Sequence, residues 1–87
     1  EYPTNGLIKN SLAKAYIMKG SLTQALPNMK KALRLEPDNL AVWSTFLNYY
    51  AAQKDKENFT TWLQRINKRD AGYLPPGQIV RIMDSML

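Results

Sequence analysis

The sequence predicts an all-helical protein built from a repeated helix-turn-helix unit. Apolar residues recur at spacings of three and four along almost the whole chain, and no run alternates in the way a strand requires. The punctuation between these runs also recurs. The same interval separates Pro3 and Asn5, in EYPTNGLIK, from Pro37 and Asn39, in EPDNLAVW.

The first predicted helix runs from about Asn5 to Met18, with Leu12, Ala15 and Tyr16 on its apolar face. Lys19-Gly20 ends it, because glycine tolerates the left-handed conformation that closes helices. Ser21 starts the next helix, and its spacing from Gln24 predicts a reciprocal capping box. Leu22, Ala25, Leu26, Met29, Ala32 and Leu33 form its stripe, and Pro27 is expected to bend or tighten the second turn. Glu36-Pro37 stops that helix, since the residue before proline is pushed out of the helical region. Asp38 or Asn39 caps the third, Leu40 to Gln53, which carries Trp43, Phe46, Leu47 and Tyr50. Asp55 caps the fourth, with a stripe of Phe59, Trp62, Leu63 and Ile66. Residues 71–77, with Gly72, Pro75 and Pro76, read as a loop. A last helix, Gln78 to Leu87, shows Ile79, Ile82, Met83 and Met86, which are expected to cover Trp62 and Ile66.

Shifting the first helix pair so that Pro3 falls on Pro37 lays Leu12 on Phe46, Tyr16 on Tyr50, Ala25 on Phe59, Met29 on Leu63 and Ala32 on Ile66. Gly20-Ser21 falls on Lys54-Asp55, a turn followed by a cap in both cases. A helix-turn-helix unit of about 34 residues resembles the tetratricopeptide repeat, whose pattern is W-x2-L-G-x2-Y, then A-x3-F, then a closing proline. Leu12, Tyr16, Ala25 and Pro37 match in the first unit, where Lys9, Ala13 and Met29 depart from the pattern. Trp43 and Tyr50 match in the second, where Phe46-Leu47, Phe59, Leu63 and Ala71 depart from it. The resemblance implies an α-solenoid: repeat 1 over residues 3–36, a divergent repeat 2 over 37–70, and residues 78–87 as a capping helix or the start of a further repeat. Glu1-Tyr2 resemble the tail of an earlier unit. With a first residue other than Met and the apolar end Met86-Leu87, they lead to the expectation of a domain fragment.

Composition narrows the function. At 87 residues the chain buries about 60% of its unfolded surface, and its 45% apolar content suits a globular domain. Histidine and cysteine are absent, which removes zinc sites, thiol chemistry and histidine acid–base schemes from this chain. The acids mostly lie in turns or at helix ends, where capping and dipole effects explain them, and no glycine-rich phosphate loop occurs. No catalytic residue, cofactor or metal is therefore expected. Nor does any apolar stretch reach the ~20 residues of a membrane span.

The excess of 12 Lys+Arg over 7 Asp+Glu favours acidic partners weakly, since both signs are interspersed. Lys30, Lys31 and Arg34, and likewise Arg65, Lys68 and Arg69, read as solvated outer faces rather than a nucleic-acid surface, because the aromatic residues fall on the buried stripes. Trp43, Tyr50, Phe59 and Trp62 read as core, while Tyr49 and Tyr73 are candidate exposed anchors.

The family resemblance implies that the first helix of each unit lines a concave groove for a peptide or a partner helix. Carried onto this sequence, the groove positions are Leu7, Asn10, Lys14 and Ile17, then Ala41, Ser44, Asn48 and Ala51. Lys14 and Asn48, one period apart, would hold a peptide backbone or carboxylate by charge-assisted hydrogen bonds. The Lys and Asn set with which some family members bind chaperone tails is not reproduced, Ser44 standing opposite Asn10. The expected function is thus a non-catalytic protein-interaction scaffold. Self-assembly, or docking within a larger parent protein, stands as the alternative.

Overall fold

Three of the five helices begin where a side chain caps a free amide group, and a fourth begins on a proline. The computed structural model describes residues 4–86, which hold five α-helices and no strand: α1 (Asn5–Met18), α2 (Leu22–Leu35), α3 (Leu40–Ala52), α4 (Lys56–Arg69) and α5 (Pro76–Ser85). The expectations placed on Glu1, Tyr2, Pro3 and Leu87 lie outside these residues. Thr4 caps α1 by accepting from the Leu7 N–H at 3.2 Å, and Asn39, not Asp38, caps α3 by accepting from Ala41 N–H at 2.9 Å. Asp55 accepts from Asn58 N–H at 3.2 Å at the head of α4.

The capping box expected at Ser21 does not form, for the Ser21 side chain makes no capping bond. Asp55 has almost the same backbone conformation, but its carboxylate reaches one atom further than a serine hydroxyl. α5 starts two residues earlier than expected, at Pro76, because proline at the first helical position has no N–H to leave unpaired. α2 runs through Pro27 as a single helix.

The turn joining α1 to α2 recurs, one repeat later, as the turn joining α3 to α4. Gly20 and Lys54 take left-handed backbones, with φ of 80° and 58°. Ser21 N–H donates to Tyr16 O at 2.8 Å and Gly20 N–H to Ile17 O at 3.0 Å; Asp55 N–H donates to Tyr50 O at 2.9 Å and Lys54 N–H to Ala51 O at 3.0 Å. These paired bonds are a Schellman closure, which satisfies carbonyls that a helix end leaves free.

α1 packs along α2 and α3 along α4, while α3 also lies against both helices of the first pair and α5 lies against α3. The first core cluster joins Ala13, Ala25, Met29 and Ala32 to Val42, Phe46 and Tyr49. The second joins Leu47, Phe59 and Ile66 to Leu74 and Met86, with Ile79, Ile82 and Trp62 at its edge. α5 thus covers the last pair with Met86, Ile79 and Ile82, whereas Met83 remains exposed. The radius of gyration, 12.5 Å, is near the ~12 Å expected of a compact domain this long, so the five helices form one globule.

The apolar face expected for α1 is corrected. Leu12 is 42% exposed and Ala15 is exposed; the residues that turn inward are Gly6, Asn10 and Ala13, with Tyr16 and Ile17 partly buried. This edge is narrow. A Cβ on Gly6 would sit 2.5 Å from Glu36 Oε2, so a side chain there would displace the Glu36 carboxylate, which accepts hydrogen bonds from Thr4 Oγ1 and Asn39 Nδ2. Tyr49, a candidate exposed anchor, is only 8% exposed in the first cluster, while Tyr73 is at the surface.

Candidate functional site

A cleft of about 490 Å³ lies where α1, α3 and α5 meet. α1 contributes Lys14, Ile17 and Met18; α3 contributes Asn48, Ala51 and Ala52. Lys54, from the left-handed turn, and Ile82 and Ser85, from α5, complete the lining. The helical period explains this set: Lys14, Ile17 and Met18 stand three and four residues apart on one edge of α1, as do Asn48, Ala51 and Ala52 on α3.

Of the groove residues expected from the sequence, the structure brings Lys14, Ile17, Asn48 and Ala51 together in this cleft. Asn10 and Ser44 do not line it. Asn10 is 5% exposed, and its Oδ1 finds no hydrogen-bond donor among the described residues. The Ser44 hydroxyl donates to Ala41 O at 2.8 Å, back along its own helix. Leu7 and Ala41 are half-buried and also lie outside the lining. Sequence reasoning missed the contributions of Lys54, Ile82 and Ser85. The repeat offered no signal for them, because Lys54 sits in a turn and α5 has no counterpart in the first helix pair.

The lining holds two ammonium groups, one amide and no carboxylate, over an apolar floor of Ile17, Ala51 and Ile82. Lys14 and Asn48 are solvent-facing, so both side chains are free to turn toward a bound group. Ser85 Oγ donates to Ile82 O at 2.6 Å, back along its own helix. Such a surface offers charge, hydrogen bonding and apolar contact. Among the described residues no group of three or more metal-ligating side chains occurs, and no helix is long and apolar enough to cross a membrane.

A second surface feature lies on α3 and α4. Trp62 stacks on Phe46, with ring centroids 4.6 Å apart, and meets Trp43 edge-on at 6.0 Å. Arg65 lies 4.7 Å over Trp62, and Arg69 lies 5.7 Å over Trp43 while forming an ion pair with Asp38 at 2.9 Å. The Trp43 indole N–H also donates to Pro37 O at 2.8 Å. The basic residues of α4 are therefore partly interleaved with aromatic rings, contrary to the reading of a plain solvated face. Both indoles already carry guanidinium groups of this chain, which serve their packing.

Comparison with known proteins returned nothing: no family model, no curated protein and no solved structure matches the chain.

Proposed function

We propose that the chain is a non-catalytic protein-interaction scaffold, a tetratricopeptide-like α-solenoid of two helix pairs and a covering helix, which holds a peptide or helix of a partner in a concave groove. The observation that carries this reading is the cleft between α1, α3 and α5, which gathers Lys14, Ile17 and Asn48 from two helices one period apart. Two further features support it. The Schellman turns recur in the register of the repeat, and each helix pair places its first helix along the cleft. The two lysines and the absence of carboxylates from the lining suit an acidic peptide.

Selection from a displayed library of random dodecapeptides, followed by fluorescence polarisation of the selected sequences, tests the proposal. Peptides should be recovered, and the Lys14→Glu, Asn48→Ala double variant should bind them at least about tenfold more weakly, the loss of one or two charge-assisted hydrogen bonds. Its melting temperature should stay unchanged, because both side chains are exposed. Equal binding by both proteins, or an empty selection, would overturn the groove.

A second reading, self-assembly or docking within a larger parent protein, draws support from the exposed apolar side chains Ile8, Leu12, Leu35, Val80 and Met83.

A further inference from the structure

The internal repeat supplies its own standard for which helix faces ought to be covered. One period apart, Ile8, Leu12, Ala15 and Lys19 of α1 occupy the places that Val42, Phe46, Tyr49 and Gln53 occupy on or just beyond α3. The α3 set is covered. Val42, Phe46 and Tyr49 lie in one cluster with Ala25, Met29 and Ala32 of α2, and Tyr49 and Gln53 share a cleft with Lys30. The α1 set is open: Ile8 is 45% and Leu12 42% exposed. Leu35, at the end of α2 that the Thr4–Glu36 bond holds beside the start of α1, is 49% exposed. Both helices end in the same turn with the same hydrogen bonds, so an element that packs on α3 has an equivalent place on α1.

We propose that this face of α1 is an interaction surface for a helical hairpin. The second helix of that hairpin carries a stripe of small and apolar residues like Ala25, Met29 and Ala32, and it docks on α1 as α2 docks on α3. Charge narrows the partner further. The residue just beyond α3 that shares a cleft with Lys30 is the neutral Gln53, whereas the same place beyond α1 holds Lys19. The partner therefore carries an acidic or neutral residue where α2 carries Lys30. A second copy offering its own α1 face fits poorly, since α1 holds Lys9 and Lys14 and no acid. The proposal rests on the repetition of the helix pair and the open face, not on the groove.

A tandem protein provides the hairpin directly. A copy of residues 4–37 is joined ahead of Thr4 in place of residues 1–3, which keeps the register of the repeat and presents a copy of α2 to α1. The expected result is one melting transition, at least about 5 °C above that of the unextended chain. Lys30→Glu in the added copy should raise it again, and the same change in the original unit, where Gln53 is the neighbour, should not. Leu12→Glu in the original unit should lower the tandem's transition by about 10 °C or more and the unextended chain's by less than about 3 °C. A tandem that does not fold, melts in two steps or melts no higher would overturn the proposal, as would equal Leu12→Glu penalties. Sedimentation of the unextended chain covers the remaining occupant: a dimer dissolved by Leu12→Glu would assign the face to a second copy instead. None of these readouts involves the cleft, so they test this face alone.

Discussion

Gly20 and Lys54 do the same work with different chemistry. Both sit at the left-handed position that lets two successive amides fold back onto the last turn of a helix, but only Gly20 does so without a Cβ meeting the neighbouring carbonyl. The second turn therefore carries a cost that the first lacks. Lys54→Gly should raise the stability of the folded chain by about 1 kcal/mol, and Gly20→Ala should lower it by about the same amount. Urea denaturation of the two variants checks this, and the opposite order of midpoints would mean that the two turns are not equivalent. Gly6 illustrates a different constraint at the same scale. Its φ is unexceptional, and a side chain there would have to displace the Glu36 carboxylate that bridges Thr4 and Asn39. That bridge ties the start of the first helix pair to the start of the second.

Among the elements, α2 is the one whose sequence argues against its own conformation. Pro27 stands in its sixth position, removes the amide that would donate to Thr23 O, and crowds that carbonyl with its ring. The helix persists because Ala25, Met29 and Ala32 are fully buried in the first core cluster, and that packing outweighs one lost bond. Pro27 itself lies in the small cleft with Tyr49 and Gln53. Pro27→Ala should thus restore the bond and stabilise the chain by about 2 kcal/mol, after about 1 kcal/mol is returned through the freer unfolded chain. Thermal or urea denaturation reads the change. A loss of stability would show that the proline ring's contacts in that cleft matter more than the hydrogen bond.

For the whole molecule, the decisive element is α5. Leu47, Phe59 and Ile66 are almost fully buried in one cluster with Met86 and with Leu74 of the preceding loop, and Ile79 and Ile82 pack against it. A chain this short has no second layer to fall back on. Met86→Ala should cost about 2–4 kcal/mol and lower the melting temperature by about 10 °C or more, and a chain ending before Pro76 should lose more. Calorimetry on both proteins checks this; an unchanged melting curve for the shortened chain would show that α5 is not the cover of the second core. α5 also supplies Ile82 and Ser85 to the candidate groove, so the same helix that completes the core completes the cleft.

The sequence by itself determined the number and order of the helices and most of their ends, because these are local matters. A glycine in a turn, an asparagine or aspartate at a cap, a proline after a stop and a spacing of three and four act within a few residues of themselves. Of the eight groove positions that the family resemblance implied, Lys14, Ile17, Asn48 and Ala51 line the cleft, while Leu7, Asn10, Ala41 and Ser44 do not. The stripes expected on α2, α3 and α4 supply buried residues, but which face of α1 is buried was decided by the tertiary structure. Leu12 and Phe46 are equivalent in the repeat, yet one is exposed and the other buried, because α2 lies against α3 and no described element lies in the equivalent place on α1. For the same reason Asn10 turns inward and Tyr49 is covered, while Met83 stays outside. Periodicity marks the residues that are able to pack together; burial follows only from the position of the neighbouring helix, and that position depends on the whole chain.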